Sequence, residues 1–246
     1  MTVFREIPQN SYCDFIQTAE NIPFGKIYPL SLADGRQAGD IYTNGKAVLF
    51  HHLCGFGHIA GSADDAFINS IKELMLNGSR RLVLFADNAF AEKFGEEFAV
   101  SGRLFFEYRK STPPEYFLPD GYKLEKLDSG LISQMAGRIV PAFSWESTEN
   151  FLAGGTGYCV TFEGRPAAWA FSAAVSGREV DIGVETDPAH RRKGLAFIAA
   201  AKTIEDILES GRTPVWACHS ENTGSAGLVQ KLGFCKTAEC CVIHKR

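Results

Sequence analysis

The residues best placed to do chemistry lie in one run, Val180-Asp181-Ile182-Gly183-Val184-Glu185-Thr186-Asp187-Pro188-Ala189-His190-Arg191-Arg192-Lys193-Gly194-Leu195-Ala196. It reads as a strand, a proline-marked loop and a glycine-containing turn that opens a helix. The first amides of a helix have no partner within it, and the helix dipole makes that end partly positive. With Arg191, Arg192 and Lys193 beside them, the amides of residues 192–196 would cradle a phosphate or diphosphate. Gly194 would allow close approach of the backbone. The competing reading is a helix start with solvated basic side chains.

The elements around this run predict a mixed α/β domain. A strand at 122–127 leads to a helix over 131–140. Strands at 157–162 and 166–174 join through Glu163-Gly164-Arg165, and 179–186 forms the next strand. A long helix over 194–209 ends at Gly211. A strand follows at 214–219. Asn222 or Ser225 then caps a helix to Leu232, which Gly233 closes, and 234–244 supplies the last strand or pair.

The segment from Arg109 to Gly121 holds three prolines and marks the junction between two halves. This divides the chain into an N-terminal lobe at 1–112, a linker at 113–121 and a second domain at 122–246. In the first half, Asn44-Gly45 predicts a hairpin between 41–43 and 47–50. A glycine-rich loop at 55–61 is expected to precede a helix capped by Ser62 and running through Met75 to Asn77-Gly78. Residues 82–85 read as a buried strand. Asn88 would cap a short helix to Phe98, and 103–108 would form one more strand.

On these residues the second half resembles the GNAT N-acetyltransferases. Arg191-Arg192-Lys193-Gly194-Leu195-Ala196 matches that family's [Q/R]-x-x-G-x-[G/A] acyl-CoA signature. Asn222, Ser225, Leu228, Lys231, Gly233 and Phe234 fall on its second motif, N-x-x-[SA]-x-x-L-x-x-K-x-G-F. The resemblance covers about residues 120–246. It implies a GNAT fold: a mixed, mostly antiparallel sheet with a splayed central strand pair, flanked by helices. It also implies acetyl-CoA as cosubstrate, no metal, and direct transfer of acetyl to a primary amine of a small molecule. In this family the strand before the turn carries a bulge and splays from its neighbour, so Val184 and Thr186 would offer backbone groups to the pantetheine arm. The Val184 amide would then serve as an oxyanion donor. Asn222 and Ser225 would join the coenzyme site.

The proton path is less defined. Many relatives carry a tyrosine as general acid where this chain has Val229. Glu185 could deprotonate an ammonium or bind a cationic substrate, with Asp181 as the weaker choice. His219 could relay a proton near neutral pH. Trp145 could pack on the acceptor and Glu146 could attract its positive charge. Asp181-Ile182-Gly183-Val184-Glu185-Thr186 with Trp216-x-Cys218-His219-x-x-Asn222 is similar to a bacterial subgroup that includes aminopolyol-antibiotic (zwittermicin-type) resistance acetyltransferases.

Two other function classes stay open. Val229 leaves room for a CoA-binding sensor without catalysis. Gly55-Phe56-Gly57-His58-Ile59-Ala60 matches G-x-G-x-x-[G/A], a dinucleotide-binding signature, although no acid closes a second strand at the expected distance of ~20 residues. A third reading makes the first half a degenerate GNAT-like lobe. It would lack the basic turn that CoA needs and would wall the acceptor site or mediate homodimerisation. His51, His52 and His58 crowd one loop without a carboxylate spacing that argues for metal.

Composition narrows the partners. A net charge of -4 gives no basic face for nucleic acid. No apolar run nears the ~20 residues that span a bilayer, so no membrane association is expected. The N-terminus lacks the apolar core of a signal peptide. Seven cysteines, an odd number without any CxxC, argue against a disulfide framework or zinc site and favour a reducing cytoplasm.

Overall fold

A computed structural model describes residues 4–246. The chain divides into two compact units. One comprises the described residues up to Phe105 with Cys218–Asn222 and Thr237–Arg246, the other Phe106–Ala217 with Thr223–Lys236. The C-terminal strand therefore belongs largely to the first unit.

In chain order the first unit holds β1 (Arg5–Glu6), α1 (Ile16–Glu20), α2 (Ile27–Ala33), β2 (Gly39–Thr43), β3 (Ala47–His52), β4 (Phe56–Gly61), α3 (Asp65–Asn77), β5 (Val83–Ala86), α4 (Asn88–Ala91) and β6 (Phe98–Glu107). The second adds β7 (Tyr122–Lys126), α5 (Ser129–Gln134), α6 (Thr148–Gly154), β8 (Gly157–Phe162), β9 (Arg165–Val175), β10 (Glu179–Thr186), α7 (Leu195–Glu209), β11 (Thr213–His219), α8 (Thr223–Leu232) and the start of β12 (Cys235–Lys245).

The sheet of the first unit runs β1-β2-β3-β4-β5-β12-β6. Its side chains alternate between two apolar faces, as a strand's period of two requires. Leu49 and Leu84 pack with Phe67 and Ile71 of α3. Val48 and Phe50 pack instead with Leu30 and Leu32 of α2. At the hairpin, Gly45 has φ +87° and Asn44 Oδ1 accepts the amides of Lys46 and Ala47, each at 2.9 Å.

The sheet of the second unit runs β11-β10-β9-β8-β7. β9 is its centre, with Trp169 and Phe171 buried. Helix α7 lies on it through Ile198, Ala199, Ala200, Ile204 and Ile207. The small alanines bring the helix axis close to the sheet, and each fully buried isoleucine contributes about 1.5–3 kcal/mol. Arg212 donates to Ile207 O and Gly211 to Leu208 O, with Gly211 at φ +73°. This is the paired bonding of a glycine-closed helix end.

Several expectations need correction. Of the segment 55–61, Phe56–Gly61 is strand β4 and not a glycine-rich loop. Gly57 sits there because a Cβ would collide with Leu82 Cδ1. Its backbone is taken up in ladders with β3 and β5, so no dinucleotide turn exists at these residues. The caps also lie elsewhere: Asp64 rather than Ser62 accepts the Phe67 amide at 2.9 Å, and Asp87 rather than Asn88 accepts the Phe90 amide at 2.7 Å. The helix before β6 stops at Ala91, and β6 already begins at Phe98.

The helix expected over 131–140 covers only Ser129–Gln134. Pro141 forces Val140 to extended backbone at φ -125°, ψ 165°. An additional helix, α6, follows with Ser147 Oγ as its cap, accepting the Asn150 amide at 3.1 Å.

Candidate active site

The pairing between β10 and β11 is short. It joins Glu179, Val180 and Asp181 to Thr213, Pro214 and Val215 and then stops. Both strands continue, β10 to Thr186 and β11 to His219, so the pair splays. Along its other edge β10 stays bonded to β9 as far as Thr186↔Ala168. The register between them slips at Asp181/Ile182, where Ala173 of β9 is the additional residue.

This register fixes which backbone groups face the gap. The Asp187 amide donates to Ala167 O at 2.9 Å, in step with the ladder. Antiparallel pairs alternate between bonded and non-bonded. Glu185 and Gly183 therefore bond β9, whereas the N–H and C=O of Val184 and Thr186 point away from it, toward the side β11 has left.

The turn after β10 follows directly. Asp187 Oδ1 accepts the Ala189 amide at 2.8 Å and shapes a short 3-10 turn at Pro188–His190. Arg192 then takes φ +66° and Gly194 φ +78°, two left-handed residues in three. Such a sequence turns successive amides toward one point, the geometry of an anion nest. Among the described residues no protein acceptor takes the amides of residues 192–196. Arg191, Arg192, Lys193 and Gly194 are exposed while Leu195 is buried, which anchors the elbow without covering it. A Cβ on Gly194 would meet no heavy atom within 4 Å, so space lies over the turn.

Two residues not anticipated from the sequence support this elbow. Lys193 Nζ donates to Tyr122 Oη at 3.0 Å, and Tyr122 Oη meets His190 Nδ1 at 3.0 Å. The cue was available only as a strand-start tyrosine, far away in sequence.

Glu185 is held firmly. Its Oε2 accepts the Ile139 amide at 2.7 Å, and Trp169 Nε1 donates to the Ile139 carbonyl at 2.7 Å. The carboxylate also lies over Gly137, where a Cβ would clash with it. A bond from an amide to a carboxylate contributes about 1.5–3 kcal/mol. The segment 137–139 is thus irregular because two side chains of the sheet hold its backbone.

The other expected residues fall in different places. Trp145 is only 4% exposed, its Nε1 donating to Ser172 O at 2.8 Å and its ring set edge-on to Phe151. It is a core residue, and its faces are not available to an acceptor. Glu146 is exposed and accepts from Asn150 Nδ2 at 3.2 Å. Ser225 Oγ accepts the Trp216 indole at 3.0 Å. Asn222 and His219 belong to the first unit, where the Asn222 amide donates to His219 O at 3.0 Å. His219 Nε2 lies 3.4 Å from Ser101 Oγ. Partial burial, and next the charge of Arg103, hold its imidazole below the ordinary histidine value. Val229 is fully buried. Among the described residues no cluster of His, Cys, Asp or Glu could hold a metal, and no helix is long and apolar enough to cross a membrane.

A family model described as GNAT acetyltransferase matches residues 30–242. The chain belongs to that family and is an acyltransferase. A Bacillus subtilis (strain 168) relative, described as the uncharacterized N-acetyltransferase YdfB, is 24% identical over 260 residues, covering 99% of each chain. A GCN5-related N-acetyltransferase-like protein from Streptococcus suis shares the fold with TM-score 0.75 at 20% identity, covering 97% of this chain and all of that one. A tandem GNAT protein from the clavulanic acid biosynthesis pathway does so with TM-score 0.62 at 11% identity, covering 98% of both. The fold is therefore shared along nearly the whole length with proteins that include a tandem GNAT protein.

Proposed function

We propose that the chain uses acetyl-CoA to acetylate a primary amine of a small molecule by direct transfer. The observation that carries this reading is the row of unbonded amides at 192–196 beside the gap where β10 leaves β11. A diphosphate fits the elbow by charge and by geometry. Arg191, Arg192 and Lys193 would add attraction to Gly194, Leu195 and Ala196. Val184 and Thr186 would bond an extended amide chain along the gap. The coenzyme supplies an acyl thioester when bound. The Val184 N–H would stabilise negative charge developing on its carbonyl oxygen.

Glu185 is the proposed base. With Oε2 committed to Ile139, Oε1 is the oxygen that would take a proton from an ammonium, directly or through water. Val229 offers no proton, so water or another group protonates the departing thiolate. The family's acetyl transfer supports an amine acceptor, and the sequence similarity to the aminopolyol-resistance subgroup supplies the first small-molecule amines to test.

Thermal unfolding with acetyl-CoA should rise with ligand concentration. Thiol release with a panel of polyamines, aminoglycosides and aminopolyols should then find an acceptor. A rise without turnover on any amine would replace catalysis with sensing, and no rise at all would end the coenzyme assignment.

A further inference from the structure

Trp169 of β9 and Glu185 of β10 stand directly opposite each other, as do Phe171 and Gly183 two residues away. Directly paired residues, and residues two apart on a strand, project to one face of the sheet. The four positions therefore form one block, and Ile139 is seated on it. Glu185 Oε2 accepts the Ile139 amide and Trp169 Nε1 donates to the Ile139 carbonyl, each at 2.7 Å. The isoleucine side chain lies over Gly183, where a Cβ would come within 3.2 Å of Ile139 Cγ2. Among the described residues, the backbone of 136–139 makes no other hydrogen bond.

The two bonds differ in what they can do for a reaction. Trp169 is 1% exposed, so it touches neither coenzyme nor acceptor, and its N–H serves a loop rather than the sheet. With the Glu185 bond alone, carboxylate and loop could swing together. A second fixed point on the same residue removes that freedom. Gly137 closes another side: a Cβ there would fall 2.7 Å from Glu185 Cδ, so the carboxylate fills the space of the missing side chain.

We infer that Trp169 is a positioning residue for acetyl transfer: by anchoring Ile139 it fixes the Glu185 carboxylate, with Oε2 committed and Oε1 left to take the proton. The inference rests on the reading of Glu185 as the base. The proton leaves the ammonium for Oε1, and the nitrogen keeps the electron pair with which it attacks. Such a transfer needs the base within hydrogen-bond reach, and a misplacement of ~1 Å can cost about 10²-fold in rate.

The test is a double-mutant cycle in the full chain, read as kcat and as KM for acetyl-CoA with an amine found by thiol release. Trp169→Phe keeps an aromatic body and removes the N–H. It should lower kcat about tenfold or more, with KM for acetyl-CoA within about twofold. In the Glu185→Gln background it should change kcat by less than about twofold, because the two residues act as one unit. A tryptophan that only stabilises the core would give losses that multiply. Hydrogen exchange at the Ile139 amide should speed up about tenfold in Trp169→Phe. If that variant does not fold, benzothienylalanine at 169 replaces the N–H with sulfur in the same shape and takes its place in each measurement. An unchanged kcat, multiplying losses or unaltered exchange at Ile139 would overturn the inference. Normal turnover in Glu185→Gln, or no turnover by the unaltered chain, would overturn it together with the base reading, and both are seen with Trp169 intact.

Discussion

The two units carry the same crossover with opposite chemistry at its turn. In each, a strand leads into a helix and returns as a parallel strand: β4–α3–β5 and β10–α7–β11. In each, the parallel pair holds for three residues and then diverges. The turns differ. At the first, Ser62 donates to Lys46 O, Asp64 caps the Phe67 amide with its own carboxylate, and Asp65 adds negative charge. At the second, Gly194 occupies the cap position with no side chain, and the amides face an exposed, basic surface. On the proposed reading, the anion site is a helix start that the protein has declined to cap. The shared topology sets up the gap, and a few turn residues decide what can enter it.

The largest expected effect separates the units by pH. His51, His52 and His58 are pushed down to about 4, 3 and 3, chiefly by burial. Their folded values lie below the ordinary value near 6.5, so the unfolded chain binds more protons between those limits. The stability they contribute is complete above ~6.5 and is lost as pH falls toward 3–4. Each costs ~1.4 kcal/mol per pH unit within that window. Melting at pH 7, 6 and 5 should show a steep fall, and His52→Phe should make it shallower. A flat profile would mean that these imidazoles are not held neutral.

Next comes Gly194→Asp, which writes the Asp64 chemistry into the second turn. Asp tolerates left-handed backbone better than most residues, and its carboxylate would cap Phe197 as Asp64 caps Phe67. Acetyl-CoA affinity should fall about a hundredfold, equivalent to ~2.7 kcal/mol, with a loss of about 1 kcal/mol of stability from the left-handed backbone at 194. Affinity within threefold of wild type would break the contrast between the turns.

Glu185→Gln should lower kcat about 10²-fold while leaving KM for acetyl-CoA within twofold. The amide oxygen of Gln can still accept from Ile139, so the local fold persists. An unchanged kcat across a broad pH range would leave Glu185 as a clamp on 137–139 and nothing more.

Legibility followed the range of the forces involved. Strand β10, helix α7 and the Gly211 close were visible because each rests on neighbours a few residues apart. The β10–β11 divergence came from family resemblance, and it is seen in the register. The failures share a cause. The glycines at 55–61 suggested a turn, whereas Gly57 answers to Leu82 across the sheet. The stretch 135–140 looked helical because its sequence cannot show that Glu185 and Trp169 hold the Ile139 backbone. Trp145 looked like a binding residue until Ser172 supplied its hydrogen bond. The α6 cap at Ser147, by contrast, is a local signal, a serine directly before a helical stretch.

The smallest effect tests whether removing the carboxylate is enough to make an anion site. Asp64→Ala deletes the cap of α3 and should cost about 1 kcal/mol, or a few degrees in Tm for a chain of this size. It exposes the Phe67 amide but adds no basic residue and leaves Asp65 in the first turn. Its backbone also lacks the paired left-handed residues that converge the amides at 192–194. Acetyl-CoA binding should therefore match wild type in stoichiometry, one per chain by calorimetry. A second equivalent of coenzyme in Asp64→Ala would show that one capping carboxylate was all that closed the first unit, and that charge and nest geometry are secondary.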